Sequence, residues 1–332
     1  MTAPVTIRGA GVVGLCVATE LLARGVPMIL RDPAPAPGPQ ACSWWAGGML
    51  APFCEGFSAE EPVIRLGQQA AAWWAAQGVP ILRRGSLVVT LDRDRRELDV
   101  FARRTQGHRL VAGKDLAAIE PHLADRHDRA LHFETEAHID PRAALVHLHR
   151  RLVEAGAVFE QDDRVPEGRV IDCRGLAAQD SLPDLRGVRG EMVMLRSNDL
   201  VLTRPVRLLH PRFPLYIVPR GAGVFMLGAT QIESAGRGGA TARSVMELLS
   251  AAYALHPALG EAEVLEIGAD ARPAFPDNLP RIRRQGETIH VNGLFRHGFL
   301  LSPAMARMVA GLILNGERPE GMDEDHGERC GA

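Results

Sequence analysis

The chain has 332 residues, which is enough for about two domains with buried cores. A formal net charge of −2, without long basic runs, excludes a general nucleic-acid-binding surface. No apolar run approaches the ~18 residues that span a bilayer and no cleavable leader is visible, so we expect a cytoplasmic protein without an integral membrane segment. The five cysteines contain no CxxC pair and the histidines show no ligand spacing, so we expect reduced thiols and no metal site.

The chain opens with a predicted strand, turn, helix and second strand over residues 5–32. In such a βαβ unit Gly9 permits the sharp turn, Gly11 lets backbone N–H groups approach a pyrophosphate, and Gly14 lets helix and strand pack closely. Asp32 ends the second strand, where a carboxylate can accept hydrogen bonds from a ribose diol. The unit predicts a dinucleotide site, for either FAD or a nicotinamide, although the glycines could also serve packing alone.

Downstream of this unit the predicted elements are both helical and extended. A proline-rich loop over residues 33–39 leads to residues 42–52, where small residues surround two tryptophans. This composition is typical of backbone packed against a large flat group, or of an ordinary buried loop. The predicted helices cover residues 58–77, 95–104, 142–155, 242–256 and 304–314. The predicted strands cover residues 87–91, 130–133, 157–160, 169–174, 191–196, 216–219, 224–227, 264–271 and 288–292.

Four of these helices carry a start signal. Ser58 and Glu61 have the spacing of a capping box at the start of the first. Asp140 precedes Pro141, a pairing typical of an N-cap followed by proline at the first helical position. Thr241 is a second predicted N-cap, and Ser302 followed by Pro303 predicts the start of the last helix.

The order of the elements predicts an α/β protein of mixed α+β character. A Rossmann-like dinucleotide-binding domain is expected from three separated segments, residues 1–80, 136–185 and 270–320. An inserted antiparallel-sheet domain that binds substrate is expected from residues 81–135 and 186–269. Residues 321–332 are polar and are expected to form a disordered tail.

Five motifs in consistent order resemble the D-amino acid oxidase superfamily. The most distinctive is GLFRHGFLLSP at residues 293–303, and the others lie at residues 43–52, 216–220, 228–230 and 272–273. The likeness spans residues 5 to about 316 and is closest to the glycine oxidases of thiamine biosynthesis. It implies that the Rossmann-like domain binds FAD, held without a covalent bond.

The resemblance also implies which residues contact FAD. The N-terminus of the last helix would face the N1–C2=O edge of the flavin, where reduced flavin carries negative charge. The implied contacts lie in the glycine turn, after the second strand, in the tryptophan loop, near residue 165 and before the last helix: Gly9, Gly11, Val12, Val13, Gly14, Asp32, Pro33, Cys42, Ser43, Gly47, Gly48, Met49, Val165, Leu294, Phe295, Arg296, His297, Gly298, Phe299 and Leu300.

Three residues match the substrate residues of the family. Arg272 would bind the substrate carboxylate through its two-pronged guanidinium, Tyr216 would donate a second hydrogen bond, and Arg296 would lie near the amine and carboxylate. Each residue also has a simpler interpretation. Arg272 could pair with an acid, Tyr216 could be a core residue, and Arg296 could be a surface charge. No catalytic acid or base is expected because hydride passes directly to the flavin, and His297 is expected to have a supporting role.

The resemblance implies oxidative deamination of glycine, or a similar small amino acid, to an imine that hydrolyses to glyoxylate and ammonia. O2 would be reduced to hydrogen peroxide, and the reaction would serve thiazole synthesis for thiamine. Alternatives are an oxidase or dehydrogenase of sarcosine or small D-amino acids, a nicotinamide-dependent dehydrogenase, and a flavin-binding protein without turnover. Relatives suggest a homo-oligomer, commonly a tetramer.

The chain departs from the family pattern in four places. Residues 160–169 are short, which predicts a reduced hairpin, and residues 172–175 replace the usual small-residue turn near the flavin. Gln231 stands where some relatives have an apolar pocket residue, which bears on substrate preference. Trp44 and Trp45 are bulkier than the usual residues of the loop.

Overall fold

The computed structural model describes residues 4–161, 168–210 and 214–323. Its strands, numbered in chain order, are β1 (Val5–Arg8), β2 (Met28–Arg31), β3 (Met49–Leu50), β4 (Ser86–Thr90), β5 (Arg109–Ala112), β6 (Arg129–Phe133), β7 (Ala137–His138), β8 (Val158–Glu160), β9 (Val170–Asp172), β10 (Arg186–Arg196), β11 (Val206–Leu209), β12 (Leu215–Gly221), β13 (Val224–Gly228), β14 (Ile232–Glu233), β15 (Glu263–Ala274), β16 (Arg281–Gln285), β17 (Thr288–Asn292) and β18 (Met322–Asp323).

The helices are also numbered in chain order. They are α1 (Val12–Ala23), α2 (Pro52–Glu55), α3 (Glu61–Gly67), α4 (Ala70–Ala76), α5 (Arg95–Arg104), α6 (Gly113–Ile119), α7 (Pro121–Ala124), α8 (Pro141–Glu154), α9 (Ala242–Leu255) and α10 (Gly298–Asn315). Short 3₁₀ segments occupy Cys42–Trp45, Asp92–Asp94, Gly175–Asp180 and Pro257–Leu259. The single helix expected over residues 58–77 is two helices, α3 and α4. The expected capping box is wrong, because the N-cap of α3 is Glu60, and no side chain caps this helix.

A seven-stranded sheet has the order β18-β16-β17-β9-β1-β2-β8. Its central pairs are parallel, β1 with β2 and with β9, as expected for strands that helices connect across the sheet. Helix α1 is apolar on nearly every side, and its residues from Leu15 to Leu21 are buried against this sheet and against α10. The carboxyl ends of β1, β2 and β9 therefore meet at one edge, beside the glycine turn.

A nine-stranded, mostly antiparallel sheet forms the second layer. Strands β14-β10-β13-β12-β11-β4-β6-β5 follow one another, and β15 pairs with β10. The β10–β15 ladder is long, from Arg186 opposite Ala274 to Arg196 opposite Glu263. Helix α9 covers one face, and Leu248 and Leu255 of that helix enter a second hydrophobic core. The two cores, one under each sheet, confirm the predicted α/β architecture with a parallel and an antiparallel sheet.

Two of the predicted segment boundaries do not coincide with the ends of the strands in the structure. Strand β15 continues to Ala274, past the expected end of the inserted segment at residue 269. The tail was expected to be disordered from residue 321, but Met322–Asp323 forms β18 and pairs in parallel with β16. Ile282 lies opposite Met322 in that pair, so an apolar contact extends the sheet by one short strand. Residues 324–332 lie outside the described ranges.

The expected start of the last helix is wrong by six residues. Helix α10 begins at Gly298, with His297 at the N-cap position, and Pro303 lies inside the helix. Proline has no N–H to donate to the carbonyl four residues earlier, which is that of Phe299. The indole Nε1–H of Trp74 donates to that carbonyl instead, at 2.9 Å. The hydrogen-bond loss that would normally end a helix at proline is thereby offset.

Helix α10 is also the one described helix that is long and apolar enough to cross a membrane, with a mean hydropathy of 1.4 over 18 residues. More than half of it, 56%, is buried in the protein. It packs against α1, α3 and α4, as a core helix of this layer does.

Candidate active site

A cavity of about 980 Å³ lies between the two sheets. This volume is at the upper end of ordinary ligand pockets. The glycine turn and the loop before β3 line one part of it, and β12, β15 and the residues before α10 line another. Ligands in open α/β sheets bind beyond the carboxyl ends of the strands, which is where this cavity lies.

The three glycines of the turn have different surroundings. Gly9 has a φ of +93°, and a Cβ atom there would lie 2.7 Å from the carbonyl oxygen of Cys173. A Cβ atom on Gly14 would lie 1.9 Å from the carbonyl oxygen of Gly9. A Cβ atom on Gly11 would meet only the hydroxyl of Ser43, at 3.7 Å. Gly9 and Gly14 are therefore needed for packing, whereas Gly11 faces the cavity.

The start of α1 is suited to an anion. The first N–H groups of a helix have no partner within it, and here they include those of Val12 and Val13, which line the cavity. The Ser43 hydroxyl lies next to them, buried and without a hydrogen-bond partner in the described chain. Backbone donors, an unpartnered hydroxyl and the open side of Gly11 together fit a bound pyrophosphate.

Asp32 also lines the cavity, but its carboxylate already has partners. Its Oδ2 accepts from the backbone N–H of Ala10 at 2.7 Å, and its Oδ1 accepts from that of Ala34 at 2.9 Å. The carboxylate therefore links the glycine turn to the loop that follows β2. Pro33 lies in this loop. Each oxygen has a second lone pair, so binding of a ribose diol remains a prediction.

The loop before β3 is held by a guanidinium. Arg142 lies over the rings of Trp44 and Trp45, at 5.0 and 5.2 Å from their centroids, and pairs with Glu266 at 2.7 Å. The bulky tryptophans that depart from the family pattern thus pack on Arg142. Burial raises the pKa of Cys42 in this loop to about 11, with a smaller contribution from the Asp270 carboxylate.

The end of this loop approaches the other wall. A Cβ atom on Gly47 would lie 2.8 Å from the ring of Tyr216, and Gly48 has a φ of +72° with Ile139 against it. Met49 follows in β3 and lines the cavity. Because neither glycine has a side chain, the loop can pass closely between Tyr216 on one side and Ile139 on the other.

The altered turn after β9 forms an ion-pair cluster. Asp172 is buried and pairs with Arg174 at 2.8 Å, while Arg174 also pairs with Asp180 at 2.8 Å. Cys173 packs against Gly9 and Gly14. Residues 172–175 therefore support the glycine turn by packing and charge pairing. Val165, expected near the adenine, lies outside the described residues.

The segment from Leu294 to the start of α10 forms a wall of the cavity next to the glycine turn. Phe295 has a φ of +50°, an uncommon value for a bulky residue, and its N–H donates to the Pro273 carbonyl at 2.9 Å. A Cβ atom on Gly298 would lie 3.3 Å from Val12. The starts of α10 and α1 therefore meet at one place, and Phe299 and Leu300 of α10 line the cavity behind it.

His297 is buried beside this helix start. Burial lowers its pKa to about 4, so its imidazole is neutral at neutral pH. Its Nδ1 lies 3.7 Å from Oε2 of Glu55. The neutral imidazole therefore lies beside the carboxylate that pairs with Arg296 at this end of the cavity.

Arg272 and Tyr216 come together at the cavity. Arg272 donates to the Thr230 carbonyl at 3.2 Å, and among the described residues no acid forms an ion pair with it. Burial lowers the pKa of the Arg272 guanidinium, which nevertheless stays charged at neutral pH. A Cβ atom on Gly190 would lie 2.0 Å from this guanidinium, so the glycine makes room for it. The structure thus contradicts the alternative in which Arg272 serves as an acid-paired residue.

Arg296 also lines the cavity but has an acidic partner. Its guanidinium pairs with Glu55 and donates to the Ser58 hydroxyl. Glu55 also pairs with Arg207 at 3.2 Å. Burial alone would raise the Glu55 pKa, but Arg296 and Arg207 lower it to about 2. The interpretation of Arg296 as an isolated surface charge is wrong, and its binding of substrate remains a prediction.

Sequence reasoning missed Glu55 and Arg207. Glu55 ends the short helix α2, directly after the tryptophan loop. An acidic residue so close to a loop that is expected to contact the cofactor is a local signal for a site residue. Arg207 carries no such local signal, because only the pairing of β11 with β12 brings it to the cavity.

The fold and the anion-binding turn define a dinucleotide-binding protein of the α/β class. A model of the family described as DAO, FAD dependent oxidoreductase, matches residues 4–312, and the chain belongs to this family. Its cofactor is FAD, which excludes the nicotinamide alternative, and the resemblance to the D-amino acid oxidase superfamily is confirmed.

Individual relatives agree with this assignment. The chain is 54% identical over 317 residues to a protein of Rhizobium etli named as a thiamine biosynthesis oxidoreductase, ThiO; the match covers 93% of this chain and 96% of that protein. The fold is similar to that of glycine oxidase from Geobacillus kaustophilus, with a TM-score of 0.81 at 22% identity and 96% of each chain covered. It is also similar to iminodiacetate oxidase from Chelativorans, with a TM-score of 0.80 at 22% identity, covering 96% of this chain and 99% of that one.

Proposed function

We propose that the chain oxidises glycine, or a similarly small amino acid, in thiamine biosynthesis. The observation that carries the proposal is the half-buried guanidinium of Arg272, which lies beside Tyr216 and has no acidic partner among the described residues. A cation that is largely removed from water without a counter-ion is costly, and a substrate carboxylate would remove that cost. The nearly full-length similarity to a relative named for thiamine biosynthesis supports the pathway.

In this proposal the protein's own residues bind and orient the amino acid. Arg272 holds the carboxylate, and the Tyr216 hydroxyl donates a second hydrogen bond to it. Gly47 and Gly228 flank the tyrosine ring, each too close to it to carry a side chain, and so fix its orientation. The bound substrate must lose its ammonium proton before the Cα–H bond breaks. FAD supplies the two-electron acceptor, and α1, Ser43 and the start of α10 are the groups that would hold it.

The proposed products follow from the chemistry of a primary amine. Loss of hydride from the α-carbon of the neutral amine leaves an iminium, which releases a proton to water to give the imine. Water then converts the imine to glyoxylate and ammonia. We assign O2 as the final electron acceptor, with hydrogen peroxide as its product. Sarcosine and small D-amino acids are the alternative substrates, and the polar Gln231 at the cavity wall bears on the choice.

Purified protein with its flavin, supplied with glycine, sarcosine and D-alanine in parallel, tests this proposal. We expect peroxide with all three at measurable rates and the highest kcat/KM with glycine. A higher kcat/KM for sarcosine or D-alanine would contradict the choice of substrate. Reduction of an added dye without peroxide would contradict O2 as acceptor, and no reaction with any amino acid would contradict the proposal itself.

A further inference from the structure

A second charged group lies in the same cavity as Arg272 and Tyr216. It consists of Glu55, Arg207 and Arg296, all of which line the cavity. Glu55 lies between the two arginines, with ion pairs to both. The side chains are largely buried, with exposed fractions of 15% for Glu55, 14% for Arg207 and 20% for Arg296. Nothing in the proposed reaction requires three buried charges at this position.

The pairing of two strands places this group beside the substrate residues. Arg207 of β11 lies directly opposite Tyr216 of β12 in the antiparallel ladder. Directly opposed residues project from the same face of a sheet, with Cβ atoms about 5 Å apart. Arg207 therefore projects toward the same side of the sheet as the tyrosine that we assign to the substrate carboxylate.

Both arginines are suited to bind a carboxylate. Arg207 donates to the Cys54 carbonyl at 3.3 Å, and the buried Nε of Arg296 has no hydrogen-bond partner in the described chain. Among the residues that the structure describes, Glu55 is the one acid that pairs with either guanidinium. Without that carboxylate, two buried cations would lie next to the substrate without an anion, which is the arrangement that binds a carboxylate most strongly.

We propose that Glu55 is a specificity-determining residue that restricts the site to amino acids with a single carboxylate. It occupies Arg207 and Arg296, and its own negative charge repels a second acidic group on the substrate. Amino acids that carry one carboxylate place it on Arg272 and leave the two ion pairs of Glu55 intact. The inference rests on the proposed function, because it presumes an amino-acid substrate at Arg272.

Glu55→Gln tests the proposal, because glutamine keeps the shape of the side chain and removes its charge. Glycine, D-aspartate and iminodiacetate are compared as substrates of the flavin-loaded protein. We expect the ratio of kcat/KM for either dicarboxylic amine to that for glycine to rise about tenfold or more. Glu55→Asp, which keeps the charge, should leave the ratio near that of the unchanged protein.

Glu120→Gln is the matched control. Glu120 is a buried acid paired with Arg204 at 3.2 Å, and it does not line the cavity. Its substitution should leave the substrate ratio unchanged. An equal rise in both glutamine variants, or no rise in Glu55→Gln, would overturn the proposal.

Binding of non-reacting acids gives a readout that does not depend on turnover. Acetate and malonate are titrated against the unchanged protein and Glu55→Gln, with the flavin spectrum and calorimetry as signals. We expect the unchanged protein to prefer acetate and the variant to prefer malonate. A preference of the unchanged protein for malonate would overturn the proposal even if the variant does not fold. A protein that prefers acetate to malonate but oxidises none of the amino acids would refute the proposed function alone, because this preference is measured without turnover.

Discussion

The indole Nε1–H of Trp74 donates to the backbone carbonyl of Phe299 at 2.9 Å, across 225 positions of sequence. Pro303 cannot donate to that carbonyl, so the tryptophan replaces the missing hydrogen bond of the helix. The two rings also stack, with centroids 5.6 Å apart. This contact lets α10 begin at Gly298, which places the helix start against the cavity.

Trp74→Phe should therefore lower the free energy of unfolding. Phenylalanine keeps most of the packing but leaves the buried Phe299 carbonyl without a donor, at a cost of about 1–3 kcal/mol. Urea unfolding of the flavin-loaded protein measures this cost. Trp45→Phe is the control, because the Trp45 indole donates to the exposed Pro39 carbonyl and water can replace it. Equal losses of unfolding free energy in the two variants would show that the smaller ring, and not the lost hydrogen bond, causes the destabilisation.

Gly11→Ala and Gly14→Ala should affect different properties of the protein, although the two glycines lie only three residues apart. A methyl group on Gly11 points into the cavity, so the protein should fold normally and bind FAD about tenfold or more weakly. A methyl group on Gly14 would lie 1.9 Å from a backbone oxygen, so that variant should lose stability without FAD present. Flavin fluorescence titration and thermal unfolding of the apoprotein separate the two effects. Normal FAD affinity in Gly11→Ala would contradict the pyrophosphate assignment.

Arg272→Ala should raise KM for glycine by about a hundredfold, because a buried charged hydrogen bond to the carboxylate is lost. FAD binding should be unchanged, as shown by the flavin absorbance of the purified variant. Arg196→Ala, which removes an exposed guanidinium paired with Glu263 on the same sheet, should leave KM unchanged. A KM for Arg272→Ala within about twofold of the original would show that another residue holds the carboxylate.

Glu136 should make stability depend on pH. Burial raises its pKa to about 7, and its Oε1 accepts from the Cys54 N–H at 2.7 Å. An unfolded glutamate ionises near pH 4.5, so between about pH 4.5 and 7 the folded protein holds a proton that the unfolded chain has lost. This group therefore stabilises the protein fully below that window and progressively less as pH rises through it.

Glu136→Gln should remove this dependence, because glutamine stays neutral at every pH. Urea unfolding at several pH values should show the variant gaining stability relative to the unchanged protein as pH rises from about 4.5 to 7, by a few kcal/mol. Glu134→Gln, which alters an exposed carboxylate paired with Arg109, should show no such gain. A constant difference between Glu136→Gln and the unchanged protein would mean that Glu136 ionises normally when folded.

Local features of the sequence predicted a large part of the structure. Asp140 caps α8 as expected, accepting from the N–H groups of Arg142 and Ala143 at 2.9 and 3.1 Å. Thr241 caps α9 in the same way, at 3.3 Å from the N–H of Ser244. Such caps and the glycine turn depend on a few neighbouring residues, so the order of residues is enough to predict them.

Contacts between distant segments could not be predicted in this way. The last helix begins six residues early because Trp74, from another part of the chain, supplies the donor that Pro303 lacks. Arg207 joins the cavity only through the register of β11 on β12, and a shift of one residue would turn it to the other face.

The sequence by itself therefore determined the family and the cofactor, and it predicted two residues that would bind the substrate carboxylate, Arg272 and Tyr216. Motifs carry that information because a dinucleotide and a carboxylate each require particular residue types at particular spacings. The tertiary structure alone decided that Arg296 is paired with Glu55, and that Asp32 supports the glycine turn. Charges find their partners across the fold, and a sequence does not show which of several acids reaches a given arginine.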